Sequence, residues 1–351
     1  MKKKLVIIMS SILVLILIST FLFYKLGLMA VSSDDKKIEF VVEEGSTYYR
    51  VINDLKNEGF IKNELCFKIY IKLNNKNNIQ AGNYQISKNM SVKEIVDVLD
   101  QGNTYNPNVI SVTFKEGLNM RGIATIISEN TNNSYDSVLG LLKDESYLNE
   151  VINSYWFINE DIKNKDIYYS LEGYLFPDTY QIDKTYNVKD IFKIMLDRME
   201  IELNNYKKEI ENSNFSVHEL LTLASVIEKE GKIKDFQNIS SAFHNRLEIN
   251  KPLESCATTF YGMGMDFNEV GIATPEMTAS SNPYNTYLIS GLPIGPIASP
   301  GKNAIEAAIN PIETNYVYFL SDNEGVSYFF ETYEEHQQKQ RELIALNKWY
   351  R

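Results

Sequence analysis

The stretch IEFVVEEGSTYYRVINDLKNEGFI, residues 38–61, reads as a strand, a turn at Glu44-Gly45, and an amphipathic helix closed by Gly59. The stretch VISVTFKEGLNMRGIATIISENT, residues 109–131, follows the same plan: strand, turn at Glu116-Gly117, short polar link, and a helix with Ile123, Ile126 and Ile127 on one side. The two Glu-Gly turns lie 72 residues apart, so the chain uses one design twice. The rest mixes strands and helices without the regular alternation of a doubly wound sheet, which makes the fold class α+β.

Between the copies, AGNYQISKNMSVKEIVDVLDQG (81–102) breaks at Gly82, alternates as a strand over Tyr84-Gln85-Ile86, and caps a helix with Ser91 and Glu94 that ends at Gly102. Residues 38–102 therefore read as a small α+β module. TYNPNV (104–109), with Asn and Pro and no apolar periodicity, marks a boundary. Residues 110–351 form a larger mixed α+β domain.

The chain begins MKKKLVIIMSSILVLILISTFLFYKLG, with three lysines before an uncharged run from Leu5 to Tyr24. Twenty such residues as a helix rise about 30 Å, the hydrocarbon thickness of a bilayer. That exceeds the apolar region of a secretory signal, about 7–15 residues, and LMAVSS (28–33) is a poor cleavage site. Residues 1–30 are expected to be a cytoplasmic stub and a transmembrane helix, with Lys2, Lys3 and Lys4 keeping the short end in the cytoplasm.

At 351 residues and 44% apolar composition the chain can bury two cores. A formal charge of −11 argues against a protein that grips nucleic acid. Two cysteines, Cys66 and Cys256, are an unpaired couple or one bridge, not a disulfide framework. His218-Glu219 is followed by Leu-Leu-Thr, so the H-E-x-x-H pattern is missing and no metal site is expected. Serine-elbow and phosphate-loop signatures are absent as well, which leaves carboxylates as the candidate chemistry.

Ser216 and Glu219 cap a helix that runs through LTLASVIEKEGK (221–232) and ends near Gly231. Helical spacing puts Glu228 on one flank of the apolar stripe with Val217, Leu221 and Ala224, and Glu230 on the other. Its row is uncharged, so partial burial would keep Glu228 protonated near neutral pH, ready to donate a proton, and the helix C-terminus pushes the same way. The pattern also fits an ordinary glutamate reaching water or Lys232.

In YYSLEGYLFPDTYQI (168–182), Glu172 among aromatics suits a carbohydrate site, or else a strand packing its aromatics into the core with Asp178 in a turn. In SNPYNTYLISGLPIGPIASPGKN (281–303), Pro283, Pro293, Pro296 and Pro300 fix the backbone path and exclude a regular helix. This is a surface connection or the wall of a cleft, and its length leans toward the cleft.

Taken in order, LEGYLFPDTY (171–180), LASVIEKE (223–230), FHNRL (243–247), PYNTYLISGLPIGPIASPG (283–301) and NYVYFLSD (315–322) resemble the motifs of the MltG (YceG-like) endolytic murein transglycosylases. The anchor and the 38–102 module, which is similar to that family's LysM-like subdomain, extend the likeness to nearly the whole chain. The resemblance implies a single-pass protein of the cell membrane with its catalytic domain outside. Its implied substrate is the glycan of nascent peptidoglycan, and peptidoglycan synthases are among its implied partners.

The resemblance gives Glu228 the catalytic place. The reaction it implies is a lyase step at the bond between N-acetylmuramic acid and N-acetylglucosamine, leaving 1,6-anhydro ends and terminating strand elongation. Such a step consumes no water, requires no cofactor or metal, and needs one carboxylate where a hydrolase uses two. Glu172, Arg246, Tyr284, Asn285 and Thr286 lie in the motifs and are expected to shape or bind the glycan, having the donors and acceptors a sugar site requires. The chain departs from the family at LESCATT (253–259), where relatives read L-Q-S-D-P-T and Cys256 takes the place of the Asp. Two other readings stand beside this one: a non-catalytic peptidoglycan-binding scaffold of the cell-wall synthesis complex, and a hydrolase pairing Glu228 with Glu172 or Glu230.

Overall fold

The computed structural model describes residues 2–76, 79–102, 104, 106–265 and 273–349. The chain divides into two units, Met1–Pro107 and Asn108–Arg351. The division falls within TYNPNV, whose Tyr105 is outside the described residues.

The first unit opens with helix α1 (Lys2–Leu28). Its segment Ile7–Leu28, 22 residues with mean hydropathy 2.5, is long and apolar enough to cross a membrane. Strand β1 (Ile38–Val42) pairs antiparallel with β2 (Gly82–Ile86), Phe40 opposite Tyr84. Helices α2 (Tyr48–Asn57), α3 (Glu64–Asn74) and α4 (Val92–Gln101) pack on that ribbon around Phe40, Ile52, Phe67, Tyr84 and Leu99. The predicted cap of α4 forms in full: the Ser91 side chain accepts from the Glu94 N–H, and the Glu94 carboxylate accepts from Ser91 N–H. Helix α3 adds to the predicted elements; Asn63 caps its start and Asn75, left-handed at φ 53°, ends it.

The second unit contains β3 (Val109–Thr113), α5 (Met120–Asn130), α6 (Tyr135–Leu141), α7 (Glu145–Ser154) and β4 (Thr179–Asp183). It continues with α8 (Val188–Asn204), α9 (Lys207–Glu211), α10 (Val217–Glu230), α11 (Phe236–Glu248), α12 (Cys256–Gly262) and α13 (Pro275–Thr278). It closes with α14 (Lys302–Ile309), β5 (Tyr318–Ser321), β6 (Ser327–Phe330) and α15 (Tyr333–Ala345). Its strands form two antiparallel ribbons, β3 with β4 and β5 with β6, and helices supply most of the core.

Helix α10 is the centre of this unit. Every residue from Leu220 to Ile227 is buried, Thr222 and Ser225 included, because α11, α12 and α14 all pack on it. This corrects the one-sided apolar stripe expected for α10: the helix is covered all round. Its two buried hydroxyls turn back onto the helix, Thr222 Oγ1 to the His218 carbonyl at 2.7 Å and Ser225 Oγ to the Thr222 carbonyl at 2.7 Å.

The proline-rich segment runs alongside α10 as a strap. The Ile294 carbonyl accepts from His218 Nε2 at 3.0 Å, Ile297 N–H donates to Ser225 Oγ at 3.0 Å, and Gly301 N–H donates to Glu228 Oε2 at 3.0 Å. Prolines hold such a path because each fixes φ and removes an N–H that would otherwise require a partner.

Candidate active site

Glu228 leaves α10 where the buried run stops, and its side chain is half-buried. Burial pushes its carboxyl up to about 7; the Gly301 N–H pulls down, the nearby Glu116 carboxylate adds to the rise, and Lys229 opposes it. The expected alternative partner is engaged elsewhere, since Lys232 Nζ donates to the Gly325 carbonyl at 3.2 Å. A carboxyl with this value is populated in both forms near neutral pH, so it can give a proton and afterwards take one.

The second Glu-Gly turn lies against this glutamate. Gly117, at φ +73°, donates its N–H to the Ser299 carbonyl at 2.8 Å, and Ser299 N–H returns a bond to the Leu118 carbonyl at 2.7 Å. A methyl on Gly117 would stand 3.6 Å from Glu228 Cγ, and one on Gly301 would overlap the Glu116 carboxylate. Glu116 and Glu228 therefore converge on Gly301. Lys229 Nζ reaches the Gly117 carbonyl at 3.3 Å. Beside them lies a cavity of about 380 Å³ walled by Gly117, Asn119, Arg121, Lys229, Phe260 and Tyr261.

Glu230 points to other partners. Its Oε1 accepts from the Ser255 hydroxyl, and burial raises its pKa while Ser255 and Arg246 lower it. Residues two apart on a helix diverge by about 200°, which keeps the two glutamates of E-K-E in separate surroundings.

The remaining candidates are interior groups. Glu172 is 1% exposed; its two oxygens accept Met120 N–H at 2.9 and 3.0 Å, and Oε2 also accepts the Tyr261 hydroxyl at 2.8 Å. Burial lifts its carboxyl to about 7 while those bonds hold it down. Glu172 is thus an internal clamp on the first turn of α5. Tyr174, Phe176 and Tyr180 beside it are buried too, so the aromatic run serves the core and β4 begins at Thr179.

Tyr284 is buried in a ring cluster with Tyr168 and Tyr261, at centroid distances of 4.8 and 4.7 Å. Asn285 spends its amide on the Thr278 and Ser280 carbonyls at 2.9 and 2.7 Å, and its Oδ1 accepts from the Thr259 hydroxyl at 3.0 Å. Thr286 Oγ1 accepts Ser255 N–H at 3.0 Å. Arg246 donates to the Val317, Pro252 and Leu253 carbonyls and to Glu254 at 2.6 to 3.0 Å. These five side chains are buried and knit loops together around the candidate site. Buried backbone groups left by irregular chain require such partners, donors for carbonyls and acceptors for N–H groups.

Both cysteines are free thiols. Burial pushes the Cys256 thiol up, and its Sγ meets the Tyr287 hydroxyl at 3.1 Å, an environment that disfavours a nucleophilic thiolate. Glu116 is the site residue that sequence reasoning misses. Its turn is visible in the sequence, but a turn shared with Glu44 carries no mark that one copy meets a catalytic candidate.

The model of the YceG-like family matches residues 40–342. The chain belongs to the YceG-like family. This YceG-like chain is 36% identical over 335 residues to the endolytic murein transglycosylase of Bacillus subtilis, covering 94% of this chain and 92% of that one. It is 32% identical over 333 residues to the endolytic murein transglycosylase of Streptococcus pneumoniae, where the match covers 91% of this chain and 60% of the longer relative. The 2.6 Å crystal structure of a YceG-like protein from Listeria monocytogenes superposes with a TM-score of 0.62 at 32% identity, over 87% of this chain and 99% of that one.

Proposed function

We propose that this chain is an endolytic murein transglycosylase, a lyase that cuts peptidoglycan strands between N-acetylmuramic acid and N-acetylglucosamine. Glu228 protonates the departing glycosidic oxygen. The resulting carboxylate then takes the proton of the muramoyl C6 hydroxyl, whose oxygen closes onto C1 as a 1,6-anhydro ring. One bond breaks, one forms, and Glu228 ends the cycle protonated. The observation that carries this reading is Glu228 itself: a half-buried carboxyl raised to about 7, held at the end of the central helix by the Gly301 N–H. Helix α1 anchors the enzyme in the membrane with its short end cytoplasmic, so the catalytic unit meets nascent strands outside, where cleavage ends their elongation.

Glu228→Gln removes the proton while keeping an acceptor for Gly301 N–H. Strand cleavage is expected to fall by about 10³-fold or more with circular dichroism unchanged. Release of anhydro-muramoyl ends at the native rate by the purified variant sinks the assignment. Product ends separate the competing readings, since reducing ends mark a hydrolase and no cleavage by the native protein marks a scaffold.

A further inference from the structure

Helix α3 has a face that the core of its own unit does not use. Phe67 and Ile71 enter that core, and Cys66 is buried against the last turns of α1: its Sγ stands 4.0 Å from the Phe23 carbonyl, and a methyl on Gly27 would overlap it. Leu65, Ile69 and Leu73 project outward at 59%, 38% and 70% exposure. Their spacing of four residues aligns them in one stripe along the helix. At about 100° per residue that stripe adjoins the Cys66 side, so it borders α1, while Lys68 and Lys72 flank its other edge. Lys68 also holds Glu64 at 3.0 Å and lies 5.6 Å from the ring of exposed Tyr49.

The level of this contact along α1 matters. The uncharged run of α1 ends at Tyr24 and Lys25 follows, so Phe23 to Gly27 is where a membrane span leaves the hydrocarbon. A helix seated there, with leucines on one edge, lysines on the next and its remaining face in a folded core, has the composition of a segment lying in the membrane plane. We propose that α3 is such an interfacial helix. Leu65, Ile69 and Leu73 enter the boundary between headgroups and acyl chains of the bilayer that α1 crosses, and Lys68 and Lys72 reach anionic lipid phosphates. The small module is then held flat on the membrane at a fixed height instead of swinging on α1. This inference rests on α1 as a membrane span and is independent of the chemistry of Glu228.

The test uses the full chain in lipid nanodiscs with plain or brominated acyl chains, and tryptophan at Leu65→Trp, Leu73→Trp, Lys93→Trp at an exposed position of α4, and Ile16→Trp midway along α1. The signal of the native Trp156 and Trp349 is subtracted. Bromine is expected to quench Leu65→Trp and Leu73→Trp by about twofold or more, and to leave Lys93→Trp unchanged. Leu65→Trp and Leu73→Trp quenched no more than Lys93→Trp, while Ile16→Trp is quenched, overturns the docking of α3 and leaves the span intact. Blue-shifted emission that ignores bromine and grows with protein copies per disc also overturns it, assigning the stripe to a second copy of the chain.

Discussion

At Gly45 the first Glu-Gly turn opens on solvent: a methyl there would meet nothing within 4 Å, and Glu44 is exposed. At Gly117 the same turn, φ +73° against +77°, is bonded to Ser299, reached by Lys229 and packed beside Glu228. The helices that follow differ in the same way. Thr47 caps α2 with its own side chain, whereas α5 is capped by Asn119 and also clamped by Glu172 from 52 residues away. Local sequence sets the shape of both turns, and tertiary packing brings only the second against the candidate site.

The largest expected break in this comparison comes from the clamp. Glu172→Ala leaves Met120 N–H and the Tyr261 hydroxyl buried without their acceptor, an expected loss of about 3 kcal/mol. Thr47→Ala removes a single local cap and should cost about 1 kcal/mol. Urea titrations of both variants, followed by circular dichroism, check the ranking. Equal losses would mean that the second copy is no more embedded than the first.

A smaller effect separates stability from activity at Glu228. Its folded pKa, about 7, lies above that of an unfolded glutamate, so the folded state binds the proton more tightly. The stability linked to this group is full below the unfolded value and is lost as pH rises through about 7. Glu228→Gln has no charge to bury, so at pH 8 it should be more stable than the native chain by about 2 kcal/mol, and the gap should close toward pH 4. Thermal melts across that range test it; a variant less stable than native at pH 8 contradicts the burial argument. Glu44, exposed at the first turn, has no burial to relieve, and Glu44→Gln serves as the comparison variant.

The elements with local causes are legible in the sequence. The capping boxes at Ser91 and Ser216, both Glu-Gly turns and the apolar length of α1 are set by residues a few positions apart. What depends on distant contacts is not. The complete burial of α10 requires α11, α12 and α14, and the interior places of Glu172, Arg246, Tyr284, Asn285 and Thr286 follow from backbone groups of distant loops that must be satisfied, carbonyls for Arg246 and Asn285 and N–H groups for Glu172, Tyr284 and Thr286. A residue type suited to sugar hydroxyls is equally suited to backbone carbonyls, so composition cannot separate the two uses. Helical spacing separates Glu228 from Glu230 in the sequence and the family resemblance is what gives it the catalytic place, whereas Glu116 becomes its neighbour only when the strap brings Gly301 against both.

The finest test compares Glu116→Gln with Glu44→Gln. Glu116 is exposed at the rim, so its charge is partly screened and its effect on the proton of Glu228 is modest. Removing that negative charge makes ionisation of Glu228 easier and lowers its pKa. In the proposed mechanism the protonated form begins the reaction, so the alkaline limb of the cleavage profile should move to lower pH, with the rate on the acid plateau nearly unchanged. Glu44→Gln should leave both untouched. A Glu116→Gln profile that only scales down at every pH would make Glu116 a support for the strap at Gly301 and not an electrostatic partner of Glu228. A shift confined to the alkaline limb would make the second turn, unlike the first, part of what sets the proton on Glu228.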